Sequence, residues 1–330
     1  MRGIILGAAA VVVTGLYLHN ASWPADPDNE FAVLAHRGVH QTYPSEGLTR
    51  DACTATRIHP PTHAFIENTL PSMREAFRLG ADVVEIDIHP TTDGEFAVFH
   101  DWTLDCRTNG QGVTREQTMA YLKTLDAGYG YTADGGRTYP LRGTGVGAIP
   151  TLAEVLEAFP DRRFQINIKS NDPSETDRLA AYFLARPHLR AERVSFFGGD
   201  RPIRRLREVE PRLAAASKGQ MKACLKDYML TGWTGHVPES CQGTVLMAPE
   251  GIRTILWGWP DRFLERMQRA GTEVWAVGGI KRQVQSVEGI DTPEAVARLP
   301  RCWRGGVQTD RIEVVAEALA EHRRRLADCR

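Results

Sequence analysis

The sequence has no surplus of either charge: 40 Lys and Arg stand against 41 Asp and Glu, a formal net charge of -1. This excludes a chain that wraps nucleic acid by its overall charge. No segment repeats at a period of about 20–50 residues, which excludes a solenoid or a propeller. No two cysteines have the CxxC spacing of a structural zinc site. The Gly-rich stretch GYGYTADGGRTYPLRGTGVG (128–147) lacks the GxxxxGK[ST] pattern of a phosphate-cradling loop and reads as a loop before a helix. Composition is that of an ordinary globular chain, 42% hydrophobic and 25% charged, so wholesale disorder is excluded as well.

Charge is also missing from Gly3 to Leu18 (GIILGAAAVVVTGLYL), which follows Arg2. One basic residue before a short apolar stretch is the layout of a secretory signal or an N-terminal anchor. The run is short for a bilayer span, since about 20 residues match ~30 Å of hydrocarbon. Tyr17, Leu18, His19 and Asn20 offer no small-x-small cleavage site. An uncleaved anchor helix is therefore favoured over a cleaved signal, with a buried core helix as the remaining alternative. The chain divides into a signal or anchor segment (1–23) and one domain (24–330). The expected location is outside the cytoplasm, held to the membrane through residues 3–18, or secreted or periplasmic if the segment is cleaved.

Six cysteines are present, at positions 53, 106, 224, 241, 302 and 329. Export permits disulfides and an even count suits them. Six cysteines allow 15 pairings, and the sequence does not choose among them. The pairing favoured here is Cys53–Cys106, Cys224–Cys241 and Cys302–Cys329; free thiols are the alternative.

The rest alternates between short apolar runs and helical patterns. The runs are FAVLA (31–35), VVEIDI (83–88), FAVFH (96–100), FQINI (164–168), RVSFF (193–197), LAAA (213–216), TVLMA (244–248), EVWAV (273–277) and GVQT (306–309). Several are apolar at consecutive positions, as in parallel strands covered on both faces. Between them, TLPSMREAFRLG (69–80) offers Thr69 as N-cap, and TLAEVLEAF (151–159) pairs Thr151 with Glu154 as a capping box. The predicted fold class is α/β, a (β/α)₈ TIM barrel preceded by the N-terminal hydrophobic anchor helix. Nine strands are one too many for such a barrel. The link from Asp87 to Phe96 holds a turn (TTDG, 91–94) and is too short for a helix. FAVFH is therefore expected to return as a hairpin arm. A turn centred between Thr92 and Asp93 sets His100 opposite Glu85.

Chemistry gathers at the strand ends. His36-Arg37 follows the first strand, Glu67 precedes the first long helix, Glu85 and Asp87 lie on the second strand, His100 ends the hairpin arm and Lys169 ends FQINIK. In a barrel of this type the C-terminal strand ends and the loops after them form the active site. Glu85 and Asp87 face one way because side chains alternate with period two. Two like charges so placed call for a cation, and oxygen ligands favour Ca²⁺ or Mg²⁺ over zinc. Arg37 and Lys169 suit a phosphate-bearing substrate. Two histidines suit acid–base work near neutral pH.

HRG (36–38), ENT (67–69), EID (85–87), FHD (99–101) with the following TLDCRTNGQG, and IPTL (149–152) together resemble the glycerophosphodiester phosphodiesterase family, over roughly residues 31–315. Trp275 in EVWAV and Asp310 in GGVQTD resemble its last two strands. The resemblance implies one divalent cation and hydrolysis of a small glycerophosphodiester to glycerol 3-phosphate and an alcohol. It implies His36 and His100 as the acid–base pair, Glu67, Glu85 and Asp87 at the metal, and Arg37 and Lys169 as phosphate contacts. Two departures stand out. Asn167 occupies a position where the family usually has a metal-binding Glu, which removes one negative charge; its carbonyl can still bind Ca²⁺ or Mg²⁺. The stretch 39–66 is long and is expected to form a substrate-shaping cap, pinned by Cys53.

Plainer readings are set beside these. His40, His59, His63 and His89 read as loop polarity near the mouth, and His19, His188, His236 and His322 as structural or surface. HRRR (322–325) reads as a solvated helix end, with contact to anionic lipid as the alternative. WGWP (257–260) reads as packing, with an apolar wall for the substrate's alcohol as the alternative. Two other functions remain open: lysophospholipase D-type hydrolysis of lipid substrates, and a non-catalytic barrel that binds phosphodiesters. No nucleic-acid partner is expected, the membrane is contacted through the N-terminal segment, and oligomeric state is not readable.

Overall fold

The structure, a computed structural model, describes residues 11, 13–22, 31–49, 52–189, 193–281 and 286–329. The expected anchor run falls largely outside the described residues. Among the described residues no helix is long and apolar enough to cross a membrane. Residues 13–20 are helical, and their end docks on the barrel: Arg266 donates to the His19 carbonyl at 3.1 Å and to Asn20 Oδ1 at 3.0 Å.

All nine predicted strands form. They are β1 (Val33–His36), β2 (Val83–Pro90), β3 (Phe96–Val98), β4 (Arg163–Ile168), β5 (Val194–Gly198), β6 (Ala215–Ser217), β7 (Val245–Pro249) and β8 (Glu273–Val277). A two-residue pair, β9 (Ile280–Lys281) and β10 (Ser286–Val287), then precedes β11 (Gly306–Thr309). Eight of them lie side by side in the order β6-β5-β4-β2-β1-β11-β8-β7, with β3 paired only to β2. Every ladder between neighbours in that order is parallel. This is the predicted barrel, closed all but once. Among the described residues β6 and β7 share no ladder. Side chains bridge the gap instead: Thr244 Oγ1 donates to the Ala215 carbonyl at 3.3 Å, and Arg207 donates to the carbonyls of Ala215 (2.8 Å) and Gly243 (2.9 Å).

The hairpin arm forms, but one residue out of the expected register. Ile88 pairs with Val98 and Pro90 with Phe96, so the turn centres on Asp93. The cause is local. The Thr91 hydroxyl bonds Asp93 Oδ1 and accepts from the Glu95 N–H, and Thr91 N–H meets the Glu95 carbonyl at 2.8 Å. That makes a three-residue loop with Gly94 at φ 87°, a common hairpin form, rather than a two-residue turn.

The helix signals hold. Thr69 accepts from the Ser72 N–H at the start of Leu70–Arg78, and Thr151 with Glu154 caps Leu152–Ala158 reciprocally. The barrel interior follows the period of two. Below the mouth it is filled by Leu34, Val83, Ala216, Val245 and Trp275; one step up β1 and β2 the same faces carry His36, Glu85 and Asp87. Trp259 of WGWP stacks on Trp303, which is packing as read.

The three disulfides form in the favoured pairing. The Cys53–Cys106 bridge joins the long stretch 39–66 to the segment after β3. Ala55, Ile58 and Ile66 from the first share a buried cluster with Leu104, Leu122, Leu125, Tyr131 and Leu141 from the second. The expected cap is therefore a packed unit beside the mouth.

Candidate active site

Each predicted site residue lies at the C-terminal mouth of the barrel. The HRG and ENT motifs are explained by backbone geometry. Arg37 and Asn68 are the two described non-glycine residues at positive φ, 59° and 58°. Such conformations are uncommon outside glycine and are held by surrounding contacts. Gly38 follows at φ 76°, and a Cβ there would lie 2.3 Å from Ser72 Oγ. The Ser72 hydroxyl lies 3.2 Å from the Arg37 carbonyl and 2.7 Å from that of Val39. The Asn68 N–H donates to the Arg37 carbonyl at 3.1 Å. Asn68 also brackets Asp87: its amide donates to Asp87 Oδ2 and its oxygen accepts from the Asp87 N–H, both at 3.1 Å. ENT reads as a motif in the sequence; the structure shows that its Asn68 positions Asp87.

The two histidines are built alike. His36 Nδ1 lies 2.6 Å from Asp310 Oδ1, and His100 Nδ1 lies 2.6 Å from Asp101 Oδ1. Each ring therefore has a carboxylate behind it and its Nε2 free for chemistry, the arrangement that fixes tautomer and orientation. His36 Nε2 is 3.7 Å from Glu85 Oε2. Their charge environments differ. Burial and Arg37 oppose a charge on His36, but Glu85 and Asp310 outweigh them and its pKa rises. Burial, then Arg37 and Lys169, push His100 down to about 4.

Cations thread the carboxylates. Arg37 reaches Glu67 Oε1 at 3.1 Å and Asp87 Oδ2 at 3.4 Å. Lys169 reaches Asp87 Oδ1 at 3.2 Å, and the Asn167 amide donates to the same oxygen at 2.9 Å. Asp87, buried yet so surrounded, is held well below the usual carboxylate range, chiefly by Lys169 once burial is overcome. At Glu85 the cations do not suffice: burial, then the charge of Asp87, outweigh His36, Arg37 and Lys169 and raise it to about 7.

The structure adds residues the motifs did not reveal. Arg107, almost fully buried, approaches Glu67 Oε2 at 3.1 Å and Asp101 Oδ2 at 2.9 Å. Tyr131 OH and Thr54 Oγ1 accept from it at 2.7 and 2.8 Å. It ties the Glu67 side of the site to the carboxylate behind His100. Asp101 is the acid of FHD and Arg107 lies six residues further on in the same quoted stretch, but nothing in their spacing marks them as partners. His40 is not loop polarity: it is buried, and burial pushes its pKa to about 4.

The four expected metal residues do not already form a closed ligand shell. Arg37 lies between Glu67 and Asp87, and Asn167 presents its amide nitrogen to Asp87. The donor chemistry nevertheless fits a hard cation. Glu85 Oε2 is buried with no hydrogen-bond partner, and an ionised oxygen so placed is costly unless a cation reaches it. Glu67, Glu85, Asp87 and the Asn167 carbonyl form an all-oxygen set, as Ca²⁺ and Mg²⁺ prefer.

Fold and mouth together define a TIM barrel with two carboxylate-backed histidines beside buried acids and cations. Residues 36–189 match the model of the glycerophosphoryl diester phosphodiesterase family. The chain is 40% identical over 105 residues to a glycerophosphodiester phosphodiesterase of Caldanaerobacter subterraneus subsp. tengcongensis, 31% of this chain and 39% of that one. It is 37% identical over 121 residues to one from Bacillus subtilis, 35% of this chain and 40% of that one. The matched segments thus span about two fifths of each relative. Among solved structures it is similar to an Oleispira antarctica phosphodiesterase in complex with the product sn-glycerol-3-phosphate. That match has 20% identity and a TM-score of 0.54, and covers 88% of this chain and 96% of that chain. Over residues 36–189 the chain thus resembles the glycerophosphodiester phosphodiesterase family, and the barrel fold extends that likeness to the rest of the described residues.

Proposed function

We propose that this chain hydrolyses small glycerophosphodiesters to sn-glycerol 3-phosphate and an alcohol. The observation that carries the reading is the matched pair of histidines, each backed by a carboxylate at 2.6 Å, at one mouth. The family match over residues 36–189 and the relatives named above support it.

The chain's own residues divide the work as follows. Arg37 and Lys169 draw the phosphodiester into the mouth, trading part of their contact with Asp87 for the phosphate oxygens. One histidine takes the proton of the attacking hydroxyl, first the substrate's own glycerol hydroxyl and then water. The other returns a proton to the departing alkoxide. Asp310 and Asp101 hold the rings and stabilise the imidazolium forms. Glu67, Glu85, Asp87 and Asn167 would hold one divalent cation, Ca²⁺ or Mg²⁺, which when bound supplies Lewis-acid stabilisation of charge on the phosphate. The preference for those two ions rests on the oxygen donor set.

The reading includes a location outside the cytoplasm, with the uncharged run 3–18 as anchor. Three disulfides and the composition of that run support it.

The test is release of glycerol 3-phosphate from glycerophosphocholine and glycerophosphoethanolamine by oxidatively folded protein, with Ca²⁺, with Mg²⁺ and with chelator. Release that needs the cation supports the reading. Folded protein that binds these diesters without release under every cation sinks it, in favour of a binding barrel.

A further inference from the structure

A different set of donors meets beside the cation residues. One ligand atom from each of His36, His40 and Asp310 lies within 4.8 Å of the other two, and among the described residues no other group of His, Cys, Asp and Glu does this. We propose that these three residues form a second cation site, selective for a transition metal such as zinc, whose occupation withdraws His36 from proton transfer. The withdrawal rests on the proton-transfer role given to His36 above; the site itself does not.

The chemistry separates this site from the first. Glu67, Glu85, Asp87 and Asn167 offer oxygen only. Two imidazoles and one carboxylate are the donor set of borderline metals, as in zinc sites with three protein ligands and an open position for water. Zinc–nitrogen bonds of about 2.0–2.1 Å place tetrahedral donors roughly 3.4 Å apart. The widest donor separation, up to 4.8 Å, has to close by as much as about 1.4 Å, while the 2.6 Å contact of His36 with Asp310 opens to admit the metal. His40 is set up for the role. It is buried, its Nδ1 lies 3.5 Å from the Gly38 carbonyl, and its ring stands edge-on to that of His36 with centroids 6.0 Å apart. A backbone carbonyl on one ring nitrogen leaves the lone pair on the other, as in most metal-binding histidines. Asp310 is itself oriented: its N–H donates to Asp291 Oδ1 at 2.7 Å. Lys281 Nζ, 4.0 Å from Asp310 Oδ2, opposes a cation, and Glu85, 3.7 Å from His36, favours one. Metal on His36 Nδ1 takes the place of the proton shared with Asp310: an imidazolium releases one proton to solvent, and the ring keeps its remaining proton on Nε2. With Nε2 so protonated the ring has no lone pair left, and His36 cannot accept the proton of the attacking hydroxyl.

The experiment titrates Zn²⁺ into the oxidised full chain at saturating Mg²⁺, by calorimetry, and follows Co²⁺ by its visible absorption. The variants are His40→Ala and the better space-filling His40→Gln. The expected result is one bound ion, a tetrahedral cobalt spectrum, and at least tenfold weaker binding in both variants. Inhibition by zinc of each protein, relative to its own zinc-free rate, should weaken by the same factor. Zinc affinity unchanged in both variants overturns the site. The binding arms need no turnover, so absence of glycerol 3-phosphate release would sink the hydrolase reading while leaving the site standing.

Discussion

His36 and Asp310 meet at 2.6 Å across nearly the whole chain. One ends β1 and the other follows β11, and the parallel pairing of those strands, Ala35 against Thr309, brings them together. In Asp310→Asn the ring loses the carboxylate that raises its pKa. The expected outcome is a fall in kcat of about 10²-fold, the size typical of one acid–base contribution. The pH limb belonging to His36 should move to lower pH. Steady-state kinetics across pH check both; an unmoved limb would detach Asp310 from the chemistry.

Arg107 predicts a change in stability as well as in rate. Its guanidinium neutralises Glu67 and Asp101, both buried or nearly so. Breaking a buried pair by removing one partner costs about 3–5 kcal/mol. Arg107→Met should lower the melting temperature. Arg107→Lys, which keeps the charge but not the fork, should fold, yet lose kcat and need more cation for half-activity. Equal cation requirements in Arg107→Lys and wild type would show that Glu67 is held by other means.

Glu85 gives cation binding a pH dependence. Its pKa, raised to about 7 by burial and by Asp87, makes a proton the competitor of the cation. Below that value the free site holds the proton, so apparent affinity should fall as pH drops through about 7 and level off above it. Calorimetric titration of Mg²⁺ and Ca²⁺ at several pH values tests this, and Glu85→Gln should flatten the dependence.

Asn167→Glu tests the family departure in both directions. In chelator, a third carboxylate beside Asp87 loses the 2.9 Å hydrogen bond and adds repulsion, so the melting temperature should fall. With cation present, half-activity should need less of it. If neither changes, residue 167 is not a cation ligand.

What could be read without coordinates divides along a physical line. Strands, caps and the outlying hairpin were legible because period and turn chemistry are local. The one-residue register difference came from the Thr91 hydroxyl closing a longer turn, a choice that TTDG leaves open. His36, His100, Glu67 and Lys169 could be placed at the mouth because each ends or follows a strand or flanks a helix start, and Glu85 and Asp87 because they share one face of β2. Asp310 as the partner of His36, Arg107 as a bridge and His40 as a buried donor were not legible. Those relations exist only once the barrel closes, and no spacing along the chain announces them.

The interruption between β6 and β7 gives the barrel a front and a back. Counting round the wall from that interruption, four strands lie on each side, and the point furthest from it is the junction of β1 with β2. There Ala35 pairs with Val84 and His36 with Glu85. A cylinder slit along one side gapes at the slit and only flexes at the spine. The Arg207 and Thr244 bridges lie at the N-terminal ends of β6 and β7, so they pin the slit at the floor of the barrel, opposite the mouth, while His36 and Glu85 sit on the spine.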